Sequence, residues 1–263
     1  MQPETCTLQE DRQVNKPTVL LDILSVALCV MFPVGLIIML TSEYNKFLWT
    51  TSAFLFIQGI TTYLILIKSA NVQSAVISAL VVLLTAFAIE LIGVKTGLPF
   101  GNYSYSDILK PQLMGVPLAI PLAWFILVIN SVVILQSILP HEFFFIKIFL
   151  SAVMVLSFDI MLEPFASFVN KFWIWENNQI PFSNYISWLA AAFILSLAVS
   201  YICFRNKTVR DDNRFSYIVL LLNFLNFAVI NIFHGYYIYT VTGILFLSAV
   251  IFSAFKIRAL HGI

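Results

Sequence analysis

The sequence predicts an all-α integral membrane protein, a polytopic bundle of about eight transmembrane helices with both termini cytoplasmic. Three observations predict it. Of the 263 residues 60% are hydrophobic and only 10% charged, and the mean hydropathy is +0.95, far from the quarter-charged composition of a soluble domain. The apolar residues fall in runs long enough to cross ~30 Å of hydrocarbon at ~1.5 Å per residue. The lysines and arginines between those runs alternate in number from one side to the other.

Taken in order, the runs are Val19 to Leu40, Phe47 to Ile67, Ser74 to Val94, Val116 to Leu139, Phe143 to Leu162, Tyr185 to Phe204, Phe215 to Phe233 and Tyr236 to Phe255. The first follows a polar, mixed-charge stretch and shows no small-residue cleavage site, so it reads as a retained signal-anchor. The last two are separated only by His234 and Gly235, a tight hairpin. The organisation is a polar cytoplasmic N-terminus (1–18), one transmembrane helical domain (19–255) and a cytoplasmic tail (256–263). One side of the membrane collects ten Lys and Arg, among them Arg12, Lys16, Lys68, Lys147, Lys256, Arg258 and those of the loop from Arg205 to Arg214; the other has four, Lys46, Lys95, Lys110 and Lys171. The richer side is cytoplasmic by the positive-inside rule. Two long loops, Lys95 to Gly115 and Glu163 to Asn184, then share the non-cytoplasmic side. Each carries a version of one hexapeptide, LPFGNY from Leu98 and IPFSNY from Ile180. With Pro99, Pro181 and Gly101 shaping the backbone, the pair reads as two matched turns over one pocket.

Carboxylates in this setting are expensive, at about 2.5–3.5 kcal/mol near mid-bilayer on insertion scales. Glu90 lies near the outer end of the third run. Asp159 and Glu163 end the fifth, spaced i, i+4 and so on one helical face. Snorkelling towards water explains any one of them; three at one depth on one side imply a polar site. Asp22, at the opposite end of the first run, reads as structural. The outer layer also holds Asn102, Tyr103, Tyr105, Trp173, Trp175, Asn184, Trp188 and His234, and aromatic belts at interfaces are common. Trp124 lies deeper than a belt residue, in GVPLAIPLAW, where Pro117 and Pro121 each remove a backbone donor and point to a kinked helix facing a cavity.

Several chemistries have no seat here. His141, His234 and His261 are few and scattered, with no ExxH pair, so no di-iron site is expected. Cys6, Cys29 and Cys203 form no CxxC spacing or disulfide framework. Neither GxGxxG, a phosphate loop nor GxSxG occurs. A net charge of +1 gives no nucleic-acid footprint. Carboxylates, aromatic faces and amides in an apolar enclosure remain, the equipment for acid chemistry on a lipid-soluble substrate without metal or cofactor. A transporter with Glu90 and Asp159 as cation sites is the reading from another class.

The ordered blocks IELIGVKTGLPFGNYSYS, GVPLAIPLAW, FDIMLEPFA and FWIWENNQIPFSNYISW resemble the carotenoid 1,2-hydratase family of integral membrane proteins, over roughly Glu90 to Trp188. The resemblance implies addition of water across the terminal 1,2 double bond of an acyclic ψ end group, with no cofactor. It implies a lycopene-like or monocyclic carotenoid as substrate, other carotenoid-pathway membrane enzymes as partners, and a prokaryotic cell membrane as the location. Many members read DxxxDP where this chain has Asp159 through Glu163-Pro164, an acid reaching one methylene further. Such a reaction needs an acid that keeps its proton near neutral pH, which desolvation and a neighbouring carboxylate favour. Asp159 or Glu163 is then the expected donor, and Glu90 or the other member of the pair the base. Trp124, Trp173, Tyr103 and Tyr105 would offer π faces to a cation, with Trp175, Asn102, Asn184 and His234 as further substrate contacts. Cyclisation or isomerisation of the end group begins with the same protonation.

Overall fold

The computed structural model describes residues 7–40, 49–205 and 214–260; Cys6, Lys46, the charges within 206–213 and His261 lie outside them. Eight helices among the described residues are long and apolar enough to cross a membrane. They are α1 (Thr7–Met39), α2 (Trp49–Ser69), α3 (Val72–Thr96), α4 (Ala119–Ile138), α5 (Phe144–Glu163), α6 (Phe182–Phe204), α7 (Arg214–Phe233) and α8 (Tyr237–Leu260). The helix α1 starts within the polar N-terminal stretch, whose Leu, Gln, Glu and Arg are good helix formers. Only its part from Thr18 onward has spanning hydropathy.

The helix α4 is the axis of the bundle. It carries no Asp, Glu, Lys or Arg, and 89% of its spanning stretch is buried, against 17% for α1 and 22% for α8. A helix that is apolar all round belongs in the interior, and α4 packs against α2, α3, α5, α6 and α7. The outer helices turn Val26, Val30, Val34, Leu245 and Phe252 outward instead, as lipid contact requires. Asp22 on α1 forms a half-exposed ion pair with Arg214 on α7 at 2.9 Å, at the end opposite the three carboxylates.

Two pieces of non-helical backbone crown one end. The loop after α3 contributes β1 (Tyr103–Tyr105), then β2 (Gln112–Leu113) and β3 (Val116–Pro117). The loop after α5 contributes β4 (Trp173–Trp175). The β1 and β4 strands pair antiparallel, Tyr103 with Trp175 and Tyr105 with Trp173, and this places both long loops at the same end of the bundle. The β2–β3 hairpin turns through Met114 and Gly115, both at positive φ, as a two-residue hairpin turn demands. Unpaired strand edges cannot face hydrocarbon, so the ribbon belongs at an interface end of the bundle and not along its side.

Two expectations change here. Pro117 lies in β3, and Pro121 sits in the first turn of α4, whose N–H groups have no intrahelical acceptor; neither kinks a helix. The two hexapeptides are also not matched turns. LPFGNY follows Gly97, which ends α3 at φ 74, whereas Pro181 is the N-cap of α6 and Phe182 to Tyr185 are already helical. They nevertheless pack together: Ser183 Oγ donates to the Phe100 carbonyl at 2.8 Å and Ser187 Oγ to that of Pro99 at 2.9 Å. A Cβ on Gly101 would lie 2.6 Å from Pro181.

Candidate active site

Helices α3 and α5 and the β1–β4 ribbon bring Glu90, Asp159 and Glu163 beneath one aromatic roof. All three carboxyls are buried, with residue exposures of 3%, 0% and 1%. The ribbon explains how two of them are held. Successive strand residues point to opposite faces, so Tyr103 and Tyr105 face inward together, as do Trp173 and Trp175, while Ser104 and Ile174 face out.

Glu90 receives three donors. Its Oε2 accepts from the hydroxyls of Tyr103 and Tyr105, each at 2.7 Å, and its Oε1 from Trp124 Nε1 at 3.1 Å. The Trp124 ring lies flat on Trp188, with centroids 3.7 Å apart and an interplanar angle of 11°. Glu163 also receives three. Its Oε2 accepts from Trp173 Nε1 at 3.2 Å and Trp175 Nε1 at 2.9 Å, and its Oε1 from Asn184 Nδ2 at 2.9 Å. Burial first, and the Glu90 carboxylate second, push the Tyr103 and Tyr105 hydroxyls well above the usual tyrosine range, which keeps them as donors.

Asp159 is the exception. Asn184 Nδ2 reaches its Oδ2 only at 3.5 Å, and its Oδ1 has no hydrogen-bond partner among the described residues. Buried polar atoms are otherwise paired in the large majority of cases. Three donors converge on Glu90 and three on Glu163, an arrangement that suits anions. A carboxyl that receives almost none suits the protonated acid, which has a hydrogen of its own to give.

Local sequence explains this placement. Gly93, one turn beyond Glu90, leaves a seat for the loop: a Cβ there would meet the Tyr103 hydroxyl at 2.7 Å and Phe100 at 2.9 Å. Past Glu163, Pro164 cannot donate to the preceding turn, and the helix continues as a π-helical turn, Pro164–Val169. Asn231 Nδ2 of α7 donates to the Met161 carbonyl beside it at 2.8 Å. That turn leads to Lys171, at φ 53, where the chain is redirected into β4.

Of the eleven residues singled out from sequence, nine meet here: Glu90, Asp159, Glu163, Tyr103, Tyr105, Trp124, Trp173, Trp175 and Asn184. Two do not. Asn102 donates to the Glu176 carboxylate at 2.7 Å on the exposed rim, because its side chain folds back over Gly97. His234 stands exposed against Phe233, carried outward where α7 ends and Gly235 turns at φ 82. The structure adds two residues to the site: Trp188, which the sequence presents only as one more interfacial aromatic, and Gly93. Their signals are a tryptophan one helical turn past Tyr185, the last residue of the second hexapeptide, and a glycine one turn from an intramembrane acid.

An apolar cavity of about 210 Å³ ends against this cluster, with Trp173, Leu162 and Phe165 in its wall. Trp173 is shared: it lines the cavity while its Nε1 donates to Glu163. Val34 and Gly35 of α1 form another part of the wall. Val34 is half-exposed and nothing lies within 4 Å of where a Gly35 Cβ would be, so the cavity is open on the α1 side.

No solved structure matches the chain. Bisanhydrobacterioruberin hydratase of Haloarcula japonica is 33% identical over 124 residues, a stretch covering 45% of this chain and 42% of that protein. The family model described as carotenoid biosynthesis protein matches residues 50–250. That range takes in α2 to α8, in whole or in part, and every carboxylate, strand and aromatic ring of the site; the chain belongs to the family of carotenoid biosynthesis proteins.

Proposed function

We propose that the protein hydrates the terminal 1,2 double bond of an acyclic carotenoid ψ end group, with Asp159 as the acid. The observation that carries this reading is the inequality among three buried carboxyls: two that each accept from three donors and one, Asp159, with an unpartnered oxygen among the described residues. The name of the Haloarcula relative supports hydration as the reaction class.

The proton on Asp159 passes to C2, the alkene π pair forming the new C–H bond and leaving a tertiary cation at C1. A water oxygen then forms the C1–O bond. Its released proton goes to Glu163, one turn along the same face, whose Oε1 accepts a single hydrogen bond and has a lone pair to spare. Return of that proton to Asp159 completes the cycle, so no redox agent or cofactor enters the balance. Glu90 acts as the fixed counter-charge, and the faces of Trp124, Trp173 and Trp175 with the Tyr103 and Tyr105 rings flank the cation. Cation–π contacts contribute about 0.5–2 kcal/mol each. The end group reaches the acid from the apolar cavity past Trp173. The positive-inside count supports a non-cytoplasmic position for this end of the bundle in a cell membrane, with both termini cytoplasmic.

Expression beside lycopene, followed by pigment mass, tests the reaction. Wild-type chain is expected to add one water per ψ end, whereas cyclisation leaves the mass unchanged. Asp159→Asn should lower turnover by about 10²–10⁴-fold, the usual worth of a positioned acid. Full hydration by Asp159→Asn would overturn the assignment.

A further inference from the structure

The cavity beside the carboxylates has one polar wall that the hydration step does not use. Gln58 lines it from α2 and is fully buried. Its Oε1 accepts from Asn223 Nδ2 of α7 at 2.9 Å. The other hydrogen of that amide goes to the Val219 carbonyl at 2.9 Å. Asn223 therefore presents a donor to Gln58, and this fixes which end of the Gln58 amide faces it. The Gln58 Nε2, with two hydrogens, has no acceptor among the described residues. Thr51 Oγ1, two turns earlier on the same helix face and in the same cavity wall, is likewise buried without a partner there.

A donor without an acceptor is costly in water-poor surroundings. Thr50 and Asn226 are further polar residues of the wall, and the rest is built from side chains such as Phe54, Ile120, Leu127 and Phe227, which offer no oxygen. A hydrocarbon end group would fill the space and leave Gln58 unpaired. An end group of the same shape carrying one hydroxyl would fill the space and satisfy it.

We infer that the cavity is a binding site for a hydroxyl-bearing isoprenoid end group, with Gln58 Nε2 donating to the hydroxyl oxygen. The tertiary alcohol formed by hydration is of this chemical class, so the inference deepens the proposed function and rests on it for the identity of the natural ligand. In this arrangement the end group meets the carboxylates as an alkene and rests against α2 once hydrated.

The test compares lycopene with its 1-hydroxy-1,2-dihydro derivative, binding being read by energy transfer from protein tryptophans to the polyene in the purified full chain. Wild-type protein should bind the alcohol about tenfold more tightly, the worth of one net hydrogen bond in an apolar site. Gln58→Leu should bind both ligands equally. The double variant Gln58→Leu with Asn223→Leu removes both partners, leaves no orphaned amide and should show the same loss of preference if the single variant folds poorly. Equal wild-type affinities, or a preference that survives in the double variant, would overturn the inference. The readout needs no turnover. Selective binding without any hydrated pigment would sink the hydration reading alone, and hydration without selective binding would sink this site alone.

Discussion

Asn184 is the residue on which the two halves of the acid pair depend. Its single amide nitrogen serves Glu163 at 2.9 Å and reaches towards Asp159 at 3.5 Å, so it sets how the proposed acid and the proposed base face each other. Replacing it with Leu leaves one Glu163 oxygen without its donor in a buried setting, where a lost charge-assisted hydrogen bond costs about 1.5–3 kcal/mol. Turnover should fall by roughly 10–100-fold on that scale, with the Michaelis constant little changed, because the cavity wall is untouched; steady-state rates across substrate concentration check this. The spacing of Asp159 and Glu163 was legible in the sequence, since i, i+4 puts two side chains on one face whatever else happens. The distinct state of Asp159 was not. It follows from what other segments fail to supply, and Asn184 lies 25 residues away. Gln58 was illegible for the same reason: an amide within an apolar run announces a polar contact without saying whether one end stays unused.

At the scale of elements, the β1–β4 ribbon decides which donors the carboxylates receive. Three-residue strands give too few alternations to be told from loop, so YSY and WIW read as interfacial aromatics rather than as the inner face of a sheet. The helices were legible because lipid forces length and apolarity on each of them. The ribbon owes its place to Gly93 and Gly101. Gly93→Ala would press a methyl group into the Tyr103 hydroxyl and Phe100, shifting Tyr103 off Glu90. Gly101→Ala would add a Cβ at φ 122 against Pro181, separating the two hexapeptides. Overpacking of this kind costs about 1–3 kcal/mol. Both variants should lower the apparent melting temperature in detergent, and Gly93→Ala should lower hydration more than Trp188→Phe, which keeps an aromatic ring over Trp124. Tyr103 and Tyr105 bear on pH at this scale too. Their hydroxyls sit above the ordinary tyrosine range because they are buried beside Glu90, and the neutral form persists as pH rises. Neither hydroxyl then ionises with the ordinary tyrosines, so an ultraviolet titration of the double Tyr103→Phe, Tyr105→Phe variant should match wild type throughout the ordinary tyrosine transition around pH 10 and fall below it only at more alkaline pH.

For the whole molecule, the eight helices of the described residues that are long and apolar enough to cross a membrane are an even number, which puts the described ends of α1 and α8 on one side, opposite the ribbon. With the cytoplasm assigned by charge, a membrane-impermeant thiol reagent on intact cells should label Ser104→Cys and spare Lys256→Cys in a background lacking the native cysteines, and lysis should expose the second. The reverse pattern would invert the topology. The Glu90 donors all come from residues 103–124, and those of Glu163 all from residues 173–184. The centre is thus divisible at the α4–α5 turn around Pro140. A gene cut there would encode two four-helix fragments, each carrying a carboxylate with its full set of donors, and complementation on coexpression would depend on strand pairing and the Trp124–Trp188 stack to reunite them.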